Sequence, residues 1–295
     1  MTICIGLIPN EKTVMLIQDS EVSYQQLGFT QDIIHKMRDI SKNAITGIIG
    51  DPTAASEIIE MLKAQPEYKN SKELKNFAEE SYHRVREEKL LNGILRTYGF
   101  KHIREVTQPQ KELPIDPEVR SNILNKATNH QGFSLELMLA SNIDKPQLCT
   151  ITFPGTGIVH DSVKMYAVSG SGTIMAIDKM GEELERYKWY KELTTNEGIE
   201  VLMRAGKASE KHTGVGGPFS IAYLTKEDEK TYIVKPDQKK INMVMYLFPL
   251  KVTDQTMKGC IERLRDDKVT AEDMSCYIKE NTGVGIEFDH YFGLD

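Results

Sequence analysis

Four short runs rich in Ile and Val precede any helical pattern, and they come in two pairs. Residues 2 to 8 and 13 to 19 flank Pro9-Asn10-Glu11-Lys12, whose backbone preferences make a turn, so the pair predicts a β-hairpin. Residues 34 to 40 and 43 to 49 repeat the pattern. The second run ends in Gly50-Asp51-Pro52, where Asp51 can cap a helix whose first residue is Pro. Ala55, Ile58, Ile59 and Leu62 then recur at helical spacing before Pro66. A longer helix opens near Ser71 and carries Leu74, Phe77, Ala78, Tyr82 and Val85 on one side. Strict alternation of strand and helix is thereby excluded.

The second half repeats this order. Strand patterns fall at Phe133 to Ala140, Leu148 to Phe153 and Val163 to Val168. One helix follows Gly170-Ser171-Gly172 and carries Ile174, Ile177 and Leu184; another is opened by Thr194-x-x-Glu197, a capping box. Strands return at Phe219 to Leu224 and Thr231 to Val234, with a third expected at Asn242 to Phe248. Two short helices and a Gly-containing tail follow Thr253. Runs of strands then helices, twice over, predict an α+β fold in which two stacked sheets carry helices outside, a four-layer αββα sandwich. The expected domain spans residues 2–250, with an insertion at about 97–132 holding one helix over 118–127, and a helical extension at 251–295.

Composition narrows the function classes. The 37 basic and 43 acidic residues leave a net charge of -6, the wrong sign for tracking a phosphate backbone, so nucleic acid is not an expected partner. The apolar stretch Met243 to Leu250 falls far short of the ~20 residues that span a bilayer. The N-terminus lacks a basic n-region and small-residue cleavage site, which predicts a cytoplasmic protein. Cys4, Cys149, Cys260 and Cys276 are scattered, and the seven histidines show no paired spacing, so no metal is expected. Gly214-Val215-Gly216-Gly217-Pro218 precedes a strand and not a helix. Gly170-Ser171-Gly172 lacks the Lys and ribose-binding acid of a nucleotide loop. No cofactor is expected.

One residue type offers chemistry at the N-terminus. A Thr hydroxyl is a poor nucleophile unless a base sits beside it, and the most economical base is the residue's own α-amino group. Such an amine has an unperturbed pKa of ~7.7 to 8.0 and exchanges protons near neutrality. Thr2 becomes such a residue once Met1 is removed, as expected before a small second residue. Most chains that begin Met-Thr make no use of the Thr. Cys4 shares a strand face with Thr2, but an internal Cys has no amine of its own.

Several motifs stand in order around Thr2. The second strand of the first hairpin ends in Leu16-Ile17-Gln18-Asp19-Ser20. Lys36-Met37-Arg38-Asp39-Ile40 opens the next strand with a lysine. Thr46-Gly47-Ile48-Ile49-Gly50-Asp51 runs a strand into a helix, and Ala167-Val168-Ser169-Gly170-Ser171-Gly172 does so again downstream. In this order and at these spacings the chain resembles the proteasome β-subunit family, over residues 2–86 and 133–235.

The resemblance implies the N-terminal nucleophile hydrolase fold, a ring-like homo-oligomer and a peptide or protein substrate. By position, Thr2 Oγ would attack a carbonyl, and Lys36 would lower the pKa of the amine and stabilise negative charge. Asp19 would hold Lys36, Gly47 N–H would be the oxyanion donor, and Ser171 would hydrogen-bond near the amine. Water would release the acyl group as a threonine-type hydrolase does; a peptide amine attacking instead would make a ligase. Where the family has an Asp and, three residues on, a Ser, this chain has His212 and Val215. Glu210 or Thr213 could stand in for them. Those two departures favour the rival expectation, a non-catalytic assembly or binding protein that keeps the fold.

Overall fold

The first hairpin forms as its turn chemistry predicts, β1 (Ile3–Asn10) and β2 (Thr13–Asp19) pairing antiparallel with Ile5 opposite Ile17. The computed structural model describes residues 2–19, 22–24, 29–31, 36–65, 67–107, 115–129, 134–188, 192–212, 215–216, 218–250, 252–285 and 287–294. A small two-stranded sheet, β3 (Val22–Tyr24) and β4 (Phe29–Gln31), follows. The second large hairpin is β5 (Met37–Ser41) with β6 (Ala44–Gly50). Helix α1 (Pro52–Lys63) opens on Asp51, whose side chain accepts from the N–H groups of Thr53 and Ala54, and α2 (Ser71–Gly93) comes next. Across the expected insertion lie α3 (Ile103–Thr107) and α4 (Pro117–Asn129).

Four strands then follow: β7 (Leu135–Asn142), β8 (Pro146–Thr152), β9 (Thr156–His160) and β10 (Tyr166–Gly170). Helices α5 (Thr173–Arg186) and α6 (Thr195–Ser209) separate them from β11 (Phe219–Glu227) and β12 (Lys230–Val234). The chain closes with α7 (Gln238–Leu247), α8 (Asp254–Arg265), α9 (Ala271–Thr282) and α10 (Glu287–Phe292). The first sheet has the order β10-β1-β2-β11-β12, the second β5-β6-β7-β8-β9, and both are antiparallel throughout.

Three apolar clusters arrange these elements. Cys4, Val14 and Leu16 of the first sheet meet Ile45, Met138 and Leu148 of the second in one cluster, so the inner faces pack on each other. The outer face of the second sheet, with Leu137 and Ile151, is covered by Ile58 of α1 and Tyr82 of α2. The outer face of the first, with Ile5 and Ile17, is covered by α5 to α9. This α+β packing is compatible with a four-layer sandwich. Both faces of β1 and β2 are therefore buried, which is why these strands read as near-continuous apolar runs.

One strand expectation is corrected. Residues 242–248 lie in helix α7 and its end, not in a strand. The run Met-Val-Met-Tyr-Leu has strand-like composition, but Asp237 caps the segment, and Ile241, Val244 and Met245 pack one face against α8 and α9. Lys240 is buried and donates to the carbonyls of Arg263, Asp266 and Val269, which ties the end of α8 back to α7. Strand β9 had no sequence expectation at all. It is an edge strand with mostly exposed side chains, so it shows little apolar periodicity.

Candidate active site

The register of the first sheet gathers three chain segments at one end. Ile3 opens β1 opposite Gly170 at the end of β10, and Asp19 closes β2 opposite Phe219. Gly170 has a φ of 101°, in the left-handed region, and a Cβ there would overlap the Thr2 carbonyl oxygen. That oxygen accepts from the Ser171 N–H at 2.7 Å, so the β10–α5 turn pins Thr2 through its backbone. Ser171 also lines the adjoining cavity.

The second sheet supplies the lysine. Lys36 precedes β5, and its carbonyl accepts from Ile48 N–H at 3.1 Å. Gln18 of β2 reaches across the gap between the sheets and hydrogen-bonds both the carbonyl and the N–H of Ile48. Gly47 lies opposite Met37, and an added Cβ would overlap Cys4 Sγ and crowd Gln18 Oε1. Glycine at 47 therefore lets β6 approach β1 and β2 closely.

These constraints bring three predicted side chains together. Lys36 Nζ donates to Thr2 Oγ at 2.7 Å and to Asp19 Oδ1 at 3.3 Å. The same Asp19 oxygen accepts from Ile3 N–H at 3.0 Å. Asp19 and Lys36 are both buried, so their attraction is weakly screened. Burial pushes the Asp19 carboxyl up to about 6, against the Lys36 charge and the Ile3 N–H, which lower it. A hydroxyl held on a buried ammonium ion is one whose oxyanion form gains stabilisation. Burial, with the Asp19 charge adding to it, pushes the Cys4 thiol far above its ordinary range, so Cys4 is packed and inert.

The shift of Asp19 has a measurable consequence. Its carboxyl in the fold binds a proton more tightly than an unfolded Asp, whose pKa is ~3.9, so the folded state carries the extra proton between about pH 4 and 6. The stability of the native chain relative to an Asp19→Asn variant is thus expected to fall as pH rises through that window and to level off above it. Urea unfolding of both proteins across the range checks this. A difference independent of pH would contradict it.

A cavity of about 920 Å³ opens on this site, with Thr2 and Lys36 in its wall. From β6 the wall is Ile48, Ile49 and Gly50 and not Gly47; β10 and the start of α5 form the facing side. Ile177 lines the cavity and Ile174 is exposed, so of the three apolar residues expected on α5 only Leu184 packs in the core.

The two departures are also placed. The His212 side chain is exposed beyond the end of α6. Val215 is buried in the core cluster, close against Gly172. Glu210 pairs with Lys207 at 2.5 Å. Met1, Ser20, Thr213, Gly214 and Gly217 lie outside the described residues. Sequence reasoning missed Gln18 as the clamp between sheets, although it sits inside the Leu16-to-Ser20 motif.

Comparison with known proteins finds a partial similarity. The chain is 32% identical over 103 residues to a proteasome subunit beta from Methanobrevibacter smithii, covering 35% of this chain and 44% of that protein. The aligned stretch spans less than half the length of that relative. No protein-family model matches the chain. The similarity is thus proteasome-like in kind and partial in extent. Among the described residues, no helix is long and apolar enough to cross a membrane.

Proposed function

We propose that the chain is an N-terminal-threonine peptidase of proteasome-like fold, acting on peptide bonds through an acyl-enzyme on Thr2. The observation that carries this reading is the 2.7 Å contact of Lys36 Nζ with Thr2 Oγ beside a buried Asp19, at a cavity wall. With Met1 removed, the Thr2 α-amine takes the hydroxyl proton as Oγ attacks the carbonyl carbon, and later passes it to the leaving amine. Lys36 keeps that amine neutral by its positive charge and steadies the developing oxyanion, while Asp19 holds Lys36. Gly47 N–H is the oxyanion donor proposed by position; Gly47 itself is paired between β5 and β7 and stands outside the cavity wall. Ser171 holds the Thr2 carbonyl through its own N–H. Water then hydrolyses the ester.

A β-lactone or epoxyketone is expected to add to Thr2 in protein whose intact mass shows Met1 gone. Peptide mapping that finds no adduct on such a sample, or finds it elsewhere, removes the reading. The rival, a non-catalytic assembly protein, is favoured by Val215, which brings an apolar side chain to the turn where the family has a hydroxyl. A ring-like homo-oligomer belongs to the same proposal. Ile174 and Met175 on α5, 73% and 43% exposed, are apolar surface that assembly would cover. A monomeric mass by light scattering at micromolar concentration would count against it.

A further inference from the structure

The inner face of the second sheet changes character along its strands. Met138 and Ala140 of β7 and Leu148 of β8 are buried between the sheets. Toward the Thr2 end the same face carries Glu136 on β7 with Thr150 and Thr152 on β8, and all three line the cavity. Glu136 lies opposite Ile49 and alternates with Leu135 and Leu137, which pack under α1 and α2. Its carboxylate therefore stands on the inner face of a sheet, where an acid is costly unless something pairs with it.

Among the described residues no ion pair or hydrogen bond to the Glu136 side chain is formed. Burial raises its pKa. The other strong charge in the same wall, Lys36, is matched by Asp19. The unmatched charge facing an occupant of the cavity is negative, and a cation entering it would make a partly desolvated contact, stronger than one in open water.

We propose that Glu136 selects a cationic side chain, that of Lys or Arg, in the peptide that occupies the cavity. This rests on the peptide-bond reading above and adds a substrate class to it. The test separates the two by measuring binding without turnover. Acetylated Ala/Leu hexapeptide amides carrying one Arg, at each position in turn, are titrated against a Thr2→Ala variant beside matched peptides with citrulline, which keeps the shape and lacks the charge. The Arg peptide of at least one position is expected to bind about tenfold tighter than its citrulline partner, the size of one charge-assisted contact. Glu136→Gln is expected to abolish that difference while leaving citrulline binding unchanged. Equal affinities at every position, no binding of either set, or a preference that survives Glu136→Gln would overturn the proposal. If the preference is found while the native protein hydrolyses none of the peptides, the Thr2 reading fails and the selection by Glu136 stands.

Discussion

Replacing Lys36 by Ala is expected to lower peptide hydrolysis by ~10²- to 10³-fold, the loss seen when one donor to a developing oxyanion is removed. The side chain touches both Thr2 Oγ and Asp19, so its removal takes away the charge that keeps the α-amine neutral and the contact that steadies the hydroxyl. The fold should survive, because Asp19 can neutralise itself by taking up a proton when its cation is gone. Lys36→Arg is expected to fail as well, since a planar guanidinium cannot take the place of a compact ammonium in a buried pair. Steady-state kinetics on a fluorogenic peptide, with unfolding curves in parallel, check both variants. Native rates in the two would show that Lys36 only stabilises the fold.

The second large effect is structural. Gly170→Ala is expected to cost about 2 to 4 kcal/mol of stability, because the new Cβ adds left-handed backbone strain to a collision with the Thr2 carbonyl. Relief would require β10 to move from β1, breaking the Ser171 N–H contact that pins Thr2. Denaturant unfolding measures the cost. A loss below about 0.5 kcal/mol, the usual range of neutral surface changes, would mean the turn is free to shift.

The parts of the fold legible in the sequence were those whose residues answer to a local rule. The two hairpins, the Asp51 cap and the Thr194 capping box depend on neighbours a few residues away, and each forms where expected. The miscast segment at 242–248 shows where such rules give out: composition favours a strand, while Asp237 and packing against α8 and α9 decide for a helix. Edge strand β9, with its mixed exposure, carries no periodicity to read.

For the site, the sequence by itself supplied the residue types: a Thr next to the N-terminus, an acid closing one strand, a lysine opening another, and glycines at two turns. Ordered motifs linked them before any distance existed. Only the tertiary structure decided that Lys36 and Asp19 share a buried contact, that Gln18 clamps the sheets, and that Glu136 faces a cavity and not solvent. The reason is physical. Alternation along a strand tells which residues share a face, but which face is covered, and what stands opposite across the gap, depends on how two sheets far apart in sequence pack together.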